Sequence, residues 1–230
     1  MNPFESGLAF HIGKEALELL QSVRIGIAGA GGLGSNCAAN LVRSGFKQFV
    51  IVDFDIVECS NLNRQFFFSA QAGKPKVEML RQNLLAINPD LDLTIHLRKI
   101  DSDNMNDFFS GCQAVVEAFD KPECKKMIVE RYMNSEKLLV AASGISGWGQ
   151  SDRIQTRRIR ENFFIIGDMV SETSRECPAL APVVNIAAAK QADVVLSYYL
   201  ARVKYDTLVK SRNCDGKVKS SRSRRANPEE

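Results

Sequence analysis

A turn reading AGAGGLGS occupies residues 28–35, set between the apolar run VRIGIA and the small-residue stretch SNCAANLVRSG. It fits G-x-G-x-x-G with Gly29, Gly31 and Gly34 in register and Gly32 among them. An apolar strand, a glycine turn and a helix in that order open a doubly wound parallel sheet. Gly29 permits the tight turn, Gly31 lets the backbone approach a phosphate, and Gly34 lets the helix lie close on the sheet. The helix start then offers unpaired N–H groups and a partial positive charge to an anion. FKQFVIVDFD follows as a second strand, and Asp53 closes it where a carboxylate accepts bonds from a ribose diol. At this point NAD and ATP fit equally well, since both carry an adenosine ribose next to phosphates.

The alternation continues along the chain. GKEALELLQ (13–21) has helical spacing, and Val77, Leu80, Leu84 and Ile87 mark a second amphipathic helix that Asn88-Pro89 ends. DLTIHL, QAVVEAF and KLLVAASGIS read as strands, with NMNDFF and PECKKMIVERYMNS as helices between them. From 151 onward DRIQTRRIR and NFFIIGD look like antiparallel strands, before a helix of small and apolar residues at about 182–201. The expected fold is α/β: a Rossmann-like, doubly wound, mostly parallel sheet with an antiparallel C-terminal extension. One domain covers 1–205, and 206–230, which holds SSRSRRANPEE, is a basic tail expected to be disordered.

The stretch after Asp53, DFDIVECSNLNRQFFFSAQAGKPK, separates the two cofactors. A nicotinamide enzyme has no use for a polar, cationic loop here, whereas a nucleoside triphosphate must have its β and γ phosphates held while the α phosphate is attacked. Asn61 offers an amide donor, Arg64 a planar fork and Lys76 a point charge at a helix start. Asp120, after QAVVEAF, falls at the carboxyl end of a strand, where it can hold a metal or cap the helix ahead of Pro122. Asp55 is open to two readings, a second metal or water ligand or a loop cap.

GxGGLGS, DxDxVxxSNLNRQ, GKPK and a downstream FD together resemble the ThiF/MoeB superfamily of ubiquitin-activating-like adenylyltransferases, over roughly residues 20–200. The segment SGISGWGQSDRIQTRRIRENFFIIGD and the stretch APVVNIAAAKQADVVL are most similar to the short ThiF branch. The resemblance implies ATP and Mg²⁺ as cofactors, with Asp53 on the ribose, Asn61, Arg64 and Lys76 on the phosphates and Asp120 positioning Mg²⁺. It also implies the substrate: the C-terminal carboxylate of a ubiquitin-like sulfur carrier such as ThiS, activated as acyl-adenylate for thiazole synthesis, with a sulfur donor protein as a further partner. A carboxylate is already nucleophilic at neutral pH, so no general base is required. Other members act on other carriers or on small-molecule or tRNA carboxylates, and those substrates stay open. A nicotinamide oxidoreductase would leave SNLNRQ and GKPK without purpose. A non-catalytic scaffold would leave Asp53, Asn61, Arg64, Lys76 and Asp120 without purpose.

The resemblance is incomplete in three places. The six cysteines form no CxxC, so no zinc is expected. The N-terminal arginine of an RYxRQ segment is missing, since no arginine precedes Arg24, which removes one argument for the homodimer the family suggests. Cys177, in SRECPALAP beside Arg175, is either a nucleophile or an ordinary free thiol. His96, in a strand pattern, reads as structural. Trp148, Phe163 and Phe164 suit carrier docking or core packing equally.

Residues 202–230 carry nine Lys/Arg against four Asp/Glu, which leaves the body slightly acidic and argues against a nucleic-acid surface there. With no signal-like or transit-like start and no run of about 18 apolar residues, no membrane partner is expected and the chain reads as cytoplasmic.

Overall fold

The computed structural model describes the backbone of residues 1–221 and the side chains of 1–201; of the tail expected at 206–230, the backbone to 221 continues the last helix instead of ending it near 201, and 222–230 lie outside the described residues. Two helices lead in, α1 (Pro3–Ile12) and α2 (Lys14–Ser22). β1 (Arg24–Ala28), α3 (Gly32–Arg43), β2 (Gln48–Asp53), α4 (Lys76–Leu85) and β3 (Asp92–Leu97) follow. Then come α5 (Met105–Phe109), β4 (Ala114–Glu117), α6 (Pro122–Tyr132), β5 (Leu138–Ala142), β6 (Gln155–Arg160), β7 (Phe163–Gly167) and α7 (Ala181–Ser221).

The strands make one sheet in the order β3-β2-β1-β4-β5-β7-β6. All neighbours run parallel except β6 and β7, whose antiparallel pairing is the expected extension, and β7 itself joins β5 in parallel. The order reverses at β1, which lies between β2 and β4. Carboxyl ends of strands at such a reversal leave a crevice where ligands of open α/β sheets bind. The glycine turn, the end of β2 and the end of β4 all fall there.

The core explains why these segments take these places. β1 and β5 are buried along nearly their whole length, as strands covered on both faces must be. Phe46, Phe49 and Phe109 are fully buried, each stabilising by about 2 kcal/mol through apolar burial. Gly26 in β1 makes room for Phe109, because a Cβ there would lie 2.5 Å from the ring. Cys37 and Ala38 of α3 and Ala187 and Ala188 of α7 are small and fully buried in the same core. That makes α3 against α7 a close helix contact. Cys37 and Cys112 are buried as small apolar residues, and burial pushes the Cys112 thiol up to about 11. Cys124 is only half-buried. His96 packs against the Phe108 ring at 4.7 Å, as a structural residue would.

α1 has no counterpart in the sequence reading. Its apolar residues lack a clear face, and it is set by capping instead: Asn2 Oδ1 accepts from Glu5 N at 2.9 Å with Pro3 in the first turn. Glu5 is buried and paired with Lys47 at 2.9 Å. At the other margin β6 is exposed at every position, with a bulge between Arg158 and Arg160. Among the described residues no helix is long and apolar enough to cross a membrane.

Candidate active site

The glycines of the turn do different work. Gly29 has φ 103° and donates its N–H to Val52 O at 2.9 Å, which fastens the turn to β2. A Cβ on Gly34 would lie 1.8 Å from Gly29 O, so this position must be bare for α3 to start against the turn. A Cβ on Gly32 would meet Val184 of α7 at 3.0 Å and the Arg64 side chain at 3.6 Å. At Gly31 the nearest atom would be Gln65 Nε2 at 3.9 Å, an ordinary contact, so the protein does not crowd the space above that glycine. An approaching anion would use that space.

Asp53 ends β2 beside this opening. Its Oδ2 accepts from Ala30 N at 2.6 Å and its Oδ1 from Asp55 N at 2.7 Å. Burial pushes the Asp53 pKa above the usual carboxylate range, although those two N–H groups and the Lys76 charge work against it. A carboxylate has about four acceptor sites, so about two remain for a ligand's hydroxyls.

The segment from Phe54 to Pro75 folds back over the start of α3. Ser35 Oγ donates to Gly31 O at 2.6 Å and accepts from Phe66 N at 3.0 Å, while Asn36 Nδ2 reaches Gly32 O at 2.7 Å and Arg64 O at 2.9 Å. These two side chains strap the segment to the helix, and neither is singled out by the sequence reading. Asn61 is buried: its Oδ1 caps a short 3-10 turn by accepting from Glu58 N at 3.1 Å, and its Nδ2 has only a 3.4 Å contact to Ser60 Oγ. Arg64 bonds through Nη1 to Asn63 Oδ1 at 2.7 Å and to Ser60 O at 3.3 Å. Gln65 is buried next to Gly31, and its Oε1 has no hydrogen-bond partner among the described residues. An orphaned buried acceptor beside the glycine turn calls for a partner, and only the folded loop reveals it.

Lys76 begins α4 and is buried, with Nζ 2.8 Å from Asp55 Oδ2. Its backbone N donates to Asp55 O at 2.9 Å, so the segment's two ends meet. Of the two readings of Asp55, ligand or loop cap, the geometry gives it a role as counter-ion to Lys76. Asp120 is exposed in the turn between β4 and α6. It does not cap α6, because Lys121 occupies the N-cap and Pro122 the first helical position.

Cys177 lies on a different loop. Its Sγ is 3.5 Å from Ser146 Oγ, and a Cβ on Gly147 would meet that sulfur at 3.0 Å and Arg153 Nη2 at 2.9 Å. The guanidinium bordering the same glycine is therefore that of Arg153, which pairs through Nε with the buried Asp168 at 3.1 Å. Asp168 also accepts from Val170 N at 2.9 Å and Ser171 N at 2.8 Å. Asn63 Nδ2 reaches Ala179 O at 3.5 Å, so the cysteine's loop abuts the one that carries Arg64. Of the three aromatics near 145–165, Phe163 is core and Phe164 lies half-buried under Arg158 at 5.9 Å; only Trp148 stands out in solvent.

Fold and site together define a doubly wound α/β protein with a glycine turn at the reversal of its sheet, overlaid by a cationic loop. The chain belongs to the ThiF family, whose model matches residues 6–230. It is 28% identical over 182 residues to the molybdopterin-synthase adenylyltransferase of Salmonella typhimurium, covering 77% of this chain and 73% of that protein. It is 33% identical over 132 residues to the adenylyltransferase and sulfurtransferase UBA4 of Saccharomyces cerevisiae, where it spans only 30% of the relative's length. Among solved structures, E. coli tRNA N6-threonylcarbamoyladenosine dehydratase, TcdA, in complex with ATP is similar at a TM-score of 0.79. The identity is 21%, over 87% of this chain and 95% of that one. E. coli MccB with ATP follows at a TM-score of 0.67 and 20% identity, over 86% of this chain and 63% of that one.

Proposed function

We propose that this chain is an ATP-dependent adenylyltransferase that activates a carboxylate as acyl-adenylate. The observation that carries the reading is the cationic segment strapped to the start of α3 beside the uncrowded Gly31, with Asp53 on one side and Lys76 buried at its far end. Relatives named as adenylyltransferases and similar folds solved with ATP support it. Asp53 would take the ribose hydroxyls on its free acceptor sites. The N-terminus of α3, the Asn61 amide, Arg64 and Lys76 would hold the phosphates. The carboxylate oxygen then bonds to the α phosphorus as the bond to the β-phosphate oxygen breaks, pyrophosphate leaves, and no proton has to move. Donors fixed before the reaction stabilise the charge that develops.

Mg²⁺ fits as an ion that enters with the nucleotide. Among the described residues no cluster of three or more His, Cys, Asp or Glu makes a metal cage. One exposed carboxylate, Asp120, plus phosphates and water is the environment Mg²⁺ favours, and there the ion would neutralise phosphate charge.

The carboxylate we assign is the C terminus of a ubiquitin-like sulfur carrier of the ThiS type, in a cytoplasmic homodimeric enzyme. Cys177 is our candidate nucleophile for a later step: its thiolate would attack the activated carbonyl, expel AMP and leave a thioester. The abutting of its loop with the Arg64 loop supports this. A second reading, a small-molecule or tRNA-borne carboxylate, is favoured by the similarity in extent to TcdA, 95% of which the match covers. ATP–pyrophosphate exchange with purified protein decides between them. Exchange that needs a carrier with an intact C terminus supports the first reading, exchange that needs a small carboxylate or tRNA supplied in its place supports the second, and none with any of these substrates sinks both.

A further inference from the structure

We propose that Glu117 is a positioning residue of the nucleotide site, its buried carboxylate shaping the turn that carries Asp120 against the glycine loop. The proposal rests on the ATP reading above. Glu117 is the last residue of β4 and is fully buried. Its Oε1 accepts from Phe119 N at 2.8 Å and its Oε2 from Ala142 N at the end of β5 at 3.2 Å. Lys125 of α6 donates to Oε1 at 3.2 Å and to Ala142 O at 3.0 Å. Gln191 of α7 donates to the Glu117 backbone carbonyl at 3.0 Å. One side chain thus gathers the ends of two strands and the first turn of a helix, at the mouth of the crevice.

Removing this carboxylate alone would leave the Lys125 ammonium and the Phe119 and Ala142 N–H groups without their acceptor, a strongly destabilising change. What the carboxylate adds to this is orientation. The Phe119 bond fixes the backbone one residue before Asp120, in a turn that α6 leaves without a side-chain cap. The same turn touches the glycines: Ala118 N donates to Ala28 O at 3.0 Å, and a Cβ on Gly29 would lie 3.0 Å from Ala118 O and 3.3 Å from the Phe119 ring. Whatever sets residues 118–119 therefore sets where Asp120 stands relative to the turn. Burial pushes the Glu117 pKa up, and Lys125 with the two N–H groups opposes that rise.

The test is a double-mutant cycle read by calorimetric titration of ATP into the full chain, with Mg²⁺ or with a chelator. Glu117→Gln and Asp120→Asn should each reduce the Mg²⁺-dependent gain in ATP affinity by about tenfold, the scale of second-layer changes at metal sites. The double variant should be no worse than Asp120→Asn, and affinity without Mg²⁺ should match the wild type. The proposal fails if Glu117→Gln keeps the full Mg²⁺-dependent gain, if the two losses multiply, or if affinity falls equally without Mg²⁺, as a merely structural role would cause. Should Glu117→Gln not fold, Glu117→Asp, which keeps the charge but is one methylene too short, goes through the same cycle under the same criteria. A wild-type chain that binds no ATP overturns the ATP reading, and this proposal with it.

Discussion

Lys76 Nζ donates to Asp55 Oδ2 across 2.8 Å, with the lysine buried and the aspartate half-exposed. A buried ammonium needs an anion, and Asp55 supplies it where the γ-phosphate would in the ATP reading. Asp55→Asn should lower stability without nucleotide by about 2 kcal/mol, the scale of a lost charged hydrogen bond. ATP should return more of the thermal midpoint to this variant than it adds to the wild type. Lys76→Met should fold normally yet lose about 100-fold in pyrophosphate exchange. Equal ATP-induced shifts in Asp55→Asn and wild type would refute the exchange of partners.

Two glycines of the turn should separate folding from binding. Gly34→Ala places a methyl 1.8 Å from Gly29 O and should prevent the native fold, which circular dichroism and gel filtration would reveal. Gly31→Ala meets nothing closer than 3.9 Å, at a residue whose φ is −77°. It should unfold at the wild-type midpoint and lose at least about tenfold in ATP affinity, because the methyl fills the space a phosphate needs. A stable Gly31→Ala that binds ATP normally would remove the phosphate from this place.

Asp168 should show a defined pH signature. Burial alone would raise its pKa, but the N–H groups of Ser171 and Val170 and the Arg153 charge outweigh this and hold the carboxyl below the usual range. Stability from such a group is present above its unfolded value, near 3.8, and is lost as pH falls through the lower folded value. Asp168→Asn should therefore cost about 2 kcal/mol in urea unfolding at neutral pH, with the gap to wild type narrowing at pH 3. A gap that widens on acidification would contradict this sign.

Cys177→Ser discriminates between the two half-reactions. Pyrophosphate exchange reports only the formation of the adenylate, so it should continue at the wild-type rate. A thiol-labile protein–carrier adduct seen by mass spectrometry should vanish. If the wild type forms no such adduct with an adenylated carrier, Cys177 is a structural thiol held by Ser146 and Gly147.

The sheet was legible because its grammar is local: apolar runs, glycine and proline punctuation, and an acid at a strand end lie within a few residues of one another. Asn61, Arg64 and Lys76, the residues proposed for the phosphates, could be picked out as a set for the same reason, since they sit in one polar stretch of sequence. α1 was not, because a cap rather than an apolar stripe sets it. Ser35 and Asn36 look like ordinary helix residues until Phe66 and Arg64 meet them across about 30 positions of chain. Glu117 was hidden by its strand, and its partners Ala142 and Gln191 lie 25 and 74 positions away. Arg175 was the sequence neighbour of Cys177, but the guanidinium that shares Gly147 with it is Arg153, brought from 24 positions upstream by a chain reversal.

β6 has a bearing on how the molecule lives in a crowded solution. A sheet margin with free N–H and C=O groups invites a second copy to add its own, and stacking could then run on without end. Here the margin bears Arg157, Arg158 and Arg160 on a strand that bulges after Arg158. Two such margins repel one another and do not match in register. Among the described residues this edge is uncovered, and its arginines and bulge work against such stacking.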